Sequence, residues 1–242
     1  MPTSEPVAAP SWSLVNSRAE CGLHGVAAAI DLDRPLDGIA TVARDPARSD
    51  RLLGLDLRGA GRRSEQWTRG RDITVVYETD DARRLRATAM WRLAPEVAGS
   101  AARHTVACWE LVLSAQTSLL ASDSSIAVVS DIHATEVAWF DSRAAGFSPA
   151  PVPRADANGV IARRDDGTSA LVLVHPDDFQ RTTAERHDGR IRISCWLFSE
   201  QVEKGVLLRS RVLAAIGPTT DDSDWAVSLA HAFSASAPIL TT

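Results

Sequence analysis

Hydrophobicity that recurs at every second residue restricts this chain more than any other feature. In "RLRATAMWRL", Leu85, Ala87, Ala89, Trp91 and Leu93 alternate with Arg84, Arg86, Thr88, Met90 and Arg92. Successive side chains of an extended strand point to opposite faces, so a period of two predicts a strand with one face buried. Just upstream, "DITVVYE" places Ile73, Val75 and Tyr77 on one face, and the polar "TDDAR" between the runs has turn chemistry. Together they predict an antiparallel hairpin.

The pattern returns in "GRIRISCWLF", where Ile191, Ile193, Cys195 and Leu197 oppose Arg190, Arg192, Ser194, Trp196 and Phe198. With "VLLRSRVLAAI" beyond the "SEQVEKG" connection, it predicts a second hairpin, punctuated by Gly217-Pro218. Weaker runs are "SLVNS", "VAAAIDL", "GIATVA", "LLGLDLR", "TVACWELVLSA", "SIAVVSDI", "EVAWF", "GVIARR" and "ALVLVHP". They bring the total to about a dozen strands without strand–helix alternation. This predicts a mainly-β fold, an antiparallel β-sandwich of supersandwich or jelly-roll kind, over a doubly wound sheet.

One helix is predicted, in "DDSDWAVSLAHAFSAS". Ser223 or Asp224 would cap it, Trp225, Leu229 and Phe233 would form its buried stripe, and Pro238 lies past its end. Residues 142–159, with three prolines, read as a long loop or linker within a single domain spanning residues 1–242.

A chain of 242 residues can bury a sizeable core without a metal or a disulfide. Cys21, Cys108 and Cys195 are odd in number and far apart, which predicts reduced, packed thiols. The net charge of −5, with both signs interspersed, gives no field for a phosphate backbone, so no nucleic-acid partner is expected. No apolar run approaches the roughly 20 residues that span a bilayer, and the opening "MPTSEPVAAPSWSLV" lacks the features of a secretory leader. The expectation is a cytoplasmic protein with no membrane partner. Phosphate-loop, dinucleotide, nucleophile-elbow and H-E-x-x-H motifs are absent, so neither a cofactor nor a metal is expected.

What chemistry the sequence offers sits near strand ends. Asp131 and His133 fall on one face of "SDIHATEVAWF", where a carboxylate and an imidazole would share a ligand, a proton or a metal, or else form a surface pair. His175 ends "LVLVHPDDF" with Asp177 and Asp178 beyond Pro176, a cluster suited to a hydroxylated ligand or a divalent cation or, alternatively, to a capped turn. Seven tryptophans stand against one tyrosine, and a flat indole suits the C–H faces of sugars. Trp91 and Trp225 belong to apolar stripes, which leaves Trp67, Trp139 and Trp196 as candidate platforms. Lys204 is the one lysine beside 25 arginines; with Glu200, Glu203 and Arg209 it would rim a polar cleft, or else make a solvated ion pair.

"LFSEQVEKGVLLRSRVLAAIGP", the tail "SAPILTT", "RSDRLLGLDLRG" and "TVVYETDDARRLRATAMWR" together resemble an uncharacterised family of bacterial β-rich proteins. Its overall look is similar to the β-supersandwich of galactose-mutarotase-like proteins and some polysaccharide lyases. The resemblance implies a sugar-related fold and, for a mutarotase, a histidine acid and a carboxylate base acting on a hemiacetal, without assigning either to a numbered residue. Three functions stay open. The first is a carbohydrate- or polar-metabolite-binding module. The second is a sugar epimerase or lyase using His133 or His175 with Asp131, Asp177 or Glu203. The third is a non-catalytic scaffold that self-associates through a sheet face, and the oligomeric state is left open.

Overall fold

The computed structural model describes residues 10–41, 49–94, 106–141, 146–149 and 157–237. In chain order its strands are β1 (Ser13–Val15), β2 (Arg18–Leu23), β3 (Val26–Asp31), β4 (Ile39–Thr41), β5 (Arg51–Asp56), β6 (Gly61–Arg69), β7 (Asp72–Thr79) and β8 (Leu85–Leu93). There follow β9 (Ala107–Thr117), β10 (Ala121–Asp123), β11 (Ile126–His133), β12 (Glu136–Asp141), β13 (Gly146–Pro149), β14 (Gly159–Arg163) and β15 (Thr168–Val174). The last are β16 (Arg181–His187), β17 (Arg190–Leu197), β18 (Gln201–Glu203) and β19 (Leu208–Pro218), before the helix α1 (Asp222–Ala235).

The strands form two large antiparallel sheets. The first runs β1-β2-β3-β4-β5-β11-β17-β16, the second runs β13-β12-β14-β15-β19-β9-β8-β7-β6, and β10 and β18 make a separate ribbon. Period-two patterning explains why they stack. On β8 the set Leu85, Ala87, Ala89, Trp91 and Leu93 is almost wholly buried, and the matching faces of β5, β7, β9, β11, β15, β17 and β19 join Ala87, Ala89, Trp91 and Leu93 in one core between the sheets. The predicted hairpin is β7–β8, with Tyr77 opposite Ala87 and Ile73 opposite Trp91.

The second predicted hairpin does not form. β17 pairs with β11 and β16 in the first sheet, whereas β19 pairs with β9 and β15 in the second. Each long strand already has two neighbours, and the chain between them crosses from one sheet to the other through β18. Within residues 142–159, Gly146–Pro149 is strand β13, paired with β12, and β14 begins at Gly159; residues 142–145 and 150–156 lie outside the described residues. Pro238 lies outside them too. Cys108 and Cys195 are buried, Cys21 is half-buried, and all three are free thiols.

The helix covers part of the outer face of the second sheet. Trp225, Leu229 and Phe233, helped by Ala226 and Ala230, pack on Cys108, Ile161, Leu171, Leu173, Leu213 and Ala215. Its cap differs from expectation: Asp221, in a left-handed conformation, is the N-cap, and neither Ser223 nor Asp224 takes that position. Asp222 anchors the first turn instead. Arg163 binds its carboxylate at 2.7 and 2.9 Å, and the Ser169 hydroxyl donates to it at 2.8 Å.

Burial opposes ionisation of Asp222, but the hydrogen bonds from Arg163 and Ser169 outweigh it and hold the carboxyl below the usual carboxylate range. A carboxyl depressed in this way contributes stability above its unfolded pKa and loses it as pH falls through the folded value. Asp222→Asn should therefore lower the melting temperature at neutral pH, by an amount equivalent to about 1.5–3 kcal/mol for charge-assisted bonds, and flatten the acid limb of the melting curve against pH. A variant whose melting temperature tracks the parent at every pH would refute the anchor. Among the described residues no helix is long and apolar enough to cross a membrane.

Candidate functional site

β11 carries the best-organised polar cluster. Val128 and Ile132 enter the core, and the alternate positions Asp131 and His133 emerge at the strand's end. There β11 pairs with β17, which sets Arg192 opposite Asp131 and Arg190 opposite His133. The Arg190 guanidinium joins the pair. Its Nε donates to Asp131 Oδ1, its Nη2 donates to the carbonyls of Asp131 (2.8 Å) and Ser49 (3.1 Å), and its Nη1 lies 2.9 Å from His133 Nδ1. The same Nη1 lies 3.4 Å from His133 Nε2, so the guanidinium faces both ring nitrogens and, having no acceptor, donates to whichever of them carries no proton.

Beneath His133 lies Asp50, wholly buried. Its Oδ1 accepts the His133 backbone N–H at 2.9 Å, and its Oδ2 accepts from Arg164 Nη1. Arg164 belongs to the turn between β14 and β15, so this pair ties the first sheet to the second. Burial pushes the Asp50 carboxyl above the usual range; Arg164, the His133 N–H and Arg190 pull the other way without cancelling it. The Arg164 Nε is buried with no hydrogen-bond partner, and Asp166 Oδ1 lies 3.7 Å from it.

Of these groups, His133 and Arg164 line a cleft of about 480 Å³, together with Ala134, Thr135, Asp165, Asp166 and Gly189. Its lining offers an imidazole, a guanidinium, two carboxylates and a hydroxyl beside apolar surface. That suits a polyhydroxylated ligand, which needs several directed hydrogen bonds. Among the described residues no group of three or more His, Cys, Asp and Glu side chains is placed to hold a metal ion.

The remaining sequence candidates are dispersed. Lys204 lines a second, larger cleft of about 680 Å³ that holds no histidine. Glu203 is exposed on the ribbon, and Arg209 lies on the outer face of the second sheet with its Nε 3.3 Å from Ser114 Oγ. Trp67 is 44% exposed on β6. Trp196 is half-buried with the Arg181 guanidinium 5.0 Å from its ring centre, in a third cleft of about 440 Å³. Trp139 is no platform: it falls on the inner face of β12 and is fully buried. His175 is also buried, set edge-on to Phe233 at 5.4 Å, with Nδ1 accepting the N–H of the exposed Asp177 at 3.4 Å. Asp178 turns back to accept the Arg211 N–H at 2.8 Å, so that cluster forms a turn beside the helix. Sequence reasoning did not single out Asp50, Arg164 or Arg190 as site residues.

Architecture and topology together define a mainly-β sandwich of galactose-mutarotase-like fold. A candidate aldose 1-epimerase from Escherichia coli K12 shares it, with a TM-score of 0.50 at 10% identity over 86% of this chain and 99% of that one. A candidate aldose 1-epimerase from Klebsiella pneumoniae gives a TM-score of 0.39 at 9% identity over 80% of this chain and 56% of that one. A heparan sulfate lyase from Pedobacter heparinus gives 0.40 at 10% identity over 83% of this chain, which spans 30% of the lyase. No protein-family model and no curated protein matches the sequence.

Proposed function

We propose that this protein binds a carbohydrate in the His133 cleft. The observation that carries the reading is the Arg190 guanidinium, which binds Asp131 and holds the His133 imidazole on a cleft that Asp165, Asp166 and Arg164 also line. The sugar-related fold supports it. The test is calorimetric titration with a panel of neutral mono- and oligosaccharides. At least one should bind, and His133→Ala should weaken it by about tenfold or more, near 1.4 kcal/mol. Absence of binding across the panel, or a variant with unchanged affinity, would remove the reading.

A second reading, aldose epimerisation, is favoured by Asp165 and Asp166 lining the same cleft as His133. An acid and a base on one hemiacetal are what ring opening requires. Polarimetry of freshly dissolved α-D-glucose and α-D-galactose decides it: catalysis should appear above the buffer rate and disappear in His133→Asn.

A further inference from the structure

We propose that the Lys204 cleft is an oxyanion site, separate from the His133 cleft and independent of the carbohydrate reading. It forms where β7 ends, β8 begins and β9 ends, with the β18–β19 connection folded alongside. The Lys204 N–H donates to the Leu120 carbonyl at 3.4 Å, and Gly205, at φ +87°, lets the chain reverse there.

Charge pairing leaves this cleft positive. Glu78 is engaged by Arg86 at 2.9 Å and Arg62 at 3.6 Å, and Arg86 also meets Glu65 at 2.6 Å, so these four side chains balance. Among the described residues neither Lys204 nor Arg84 makes an ion pair, and of the carboxylates that line the cleft Asp80 alone is left to oppose them. Gln116 and Ser118 line the same space and supply hydrogen-bonding groups for hydroxyls beside an anionic group.

Arg84 adds a second argument. It sits at φ +44°, the left-handed region in which a side chain is strained and glycine is not. The turn enforces that conformation: Arg84 N–H donates to the Asp81 carbonyl at 3.2 Å, the Thr117 hydroxyl is shared between the Arg83 carbonyl at 3.0 Å and the Arg84 carbonyl at 3.3 Å, and the next N–H, of Leu85, donates to Thr79 Oγ1 at 3.0 Å. A backbone that glycine would satisfy carries a guanidinium, in the same cleft as the one lysine of the chain. The ligand class is a small molecule bearing one carboxylate or phosphate beside hydroxyls.

The experiment titrates the full chain with inorganic phosphate, D-glucuronate and neutral glucose at low and high salt, using the parent, Lys204→Gln, Arg84→Gly and His133→Ala. Phosphate or glucuronate should bind, with affinity falling as salt rises, and which of them binds identifies the anionic group. Lys204→Gln and Arg84→Gly should each weaken binding by about tenfold, and His133→Ala should leave it unchanged. Arg84→Gly should melt no lower than the parent, which separates lost binding from lost folding. Binding of neither anion, full affinity in both cleft variants, or affinity lost in His133→Ala would overturn the assignment. The neutral-sugar panel with His133→Ala tests the other cleft separately.

Discussion

Trp91→Ala should destabilise the fold by about 3–5 kcal/mol, a large part of the total stability of an ordinary domain. Trp91 is fully buried on β8, and its Nε1–H donates to the Leu53 carbonyl in the facing sheet at 3.0 Å. Leu53 sits at φ +54° on β5, and across from it the β5–β11 register shifts between Val129 and Asp131. Its own N–H donates to Ser130 Oγ at 3.2 Å. Both backbone groups of this irregular residue are thus satisfied by side chains, one of them reaching across the core. Trp91→Phe keeps most of the volume and deletes the donor, so it should cost about 1–3 kcal/mol for an orphaned carbonyl. Urea unfolding of both variants checks the pair, and a Phe variant as stable as the parent would show that the indole N–H holds nothing.

Arg211→Met should be comparably severe, at about 3–5 kcal/mol. The guanidinium is 3% exposed, 3.6 Å from the Glu110 carboxylate and 5.2 Å from the Phe233 ring centre. It donates to Ser236 Oγ and the Ser236 carbonyl, each at 3.0 Å, and to the Ala237 carbonyl at 3.2 Å. A single cation thereby closes the carboxyl end of α1, where carbonyls lack helical partners and the helix dipole is negative, onto the sheet. Methionine keeps the apolar stem and removes every one of these donors. Besides the lower urea midpoint, Trp225 fluorescence should shift and the C-terminal segment should become protease-sensitive before the sheets unfold. Retention of parental stability and protease resistance would overturn the clamp.

The interior strands were legible because one face of each is apolar. β7 and β8 were read with their correct faces, and the helical stripe of Trp225, Leu229 and Phe233 was read as the face that α1 buries. β6 and β16 were not read at all. Both are sheet edges, and "GRRSEQWTR" and "RTTAERH" place polar or charged residues on both faces, which protects an edge from pairing and erases the alternation. The β17–β19 hairpin was misread because proximity in sequence favours pairing, but nothing local announces that a short ribbon will carry the chain to the other sheet.

The site divides in the same way. Asp131 and His133 are two apart on one strand, so their shared face follows from strand geometry. Asp50, Arg164 and Arg190 come from three distant segments, and a chain with 25 arginines gives no local sign of which two will meet these groups. Trp139 illustrates the converse: its indole suited a platform, but the inner face of β12 placed it in the core.

The scarcity of lysine has a chemical consequence. Apart from the amino terminus, the chain displays a single primary amine, because its other long cations are guanidinia. An acylating reagent therefore meets one side-chain amine, and the rate at which the Lys204 nitrogen is capped, read by peptide mapping apart from the amino terminus, becomes a direct gauge of whether its cleft is occupied.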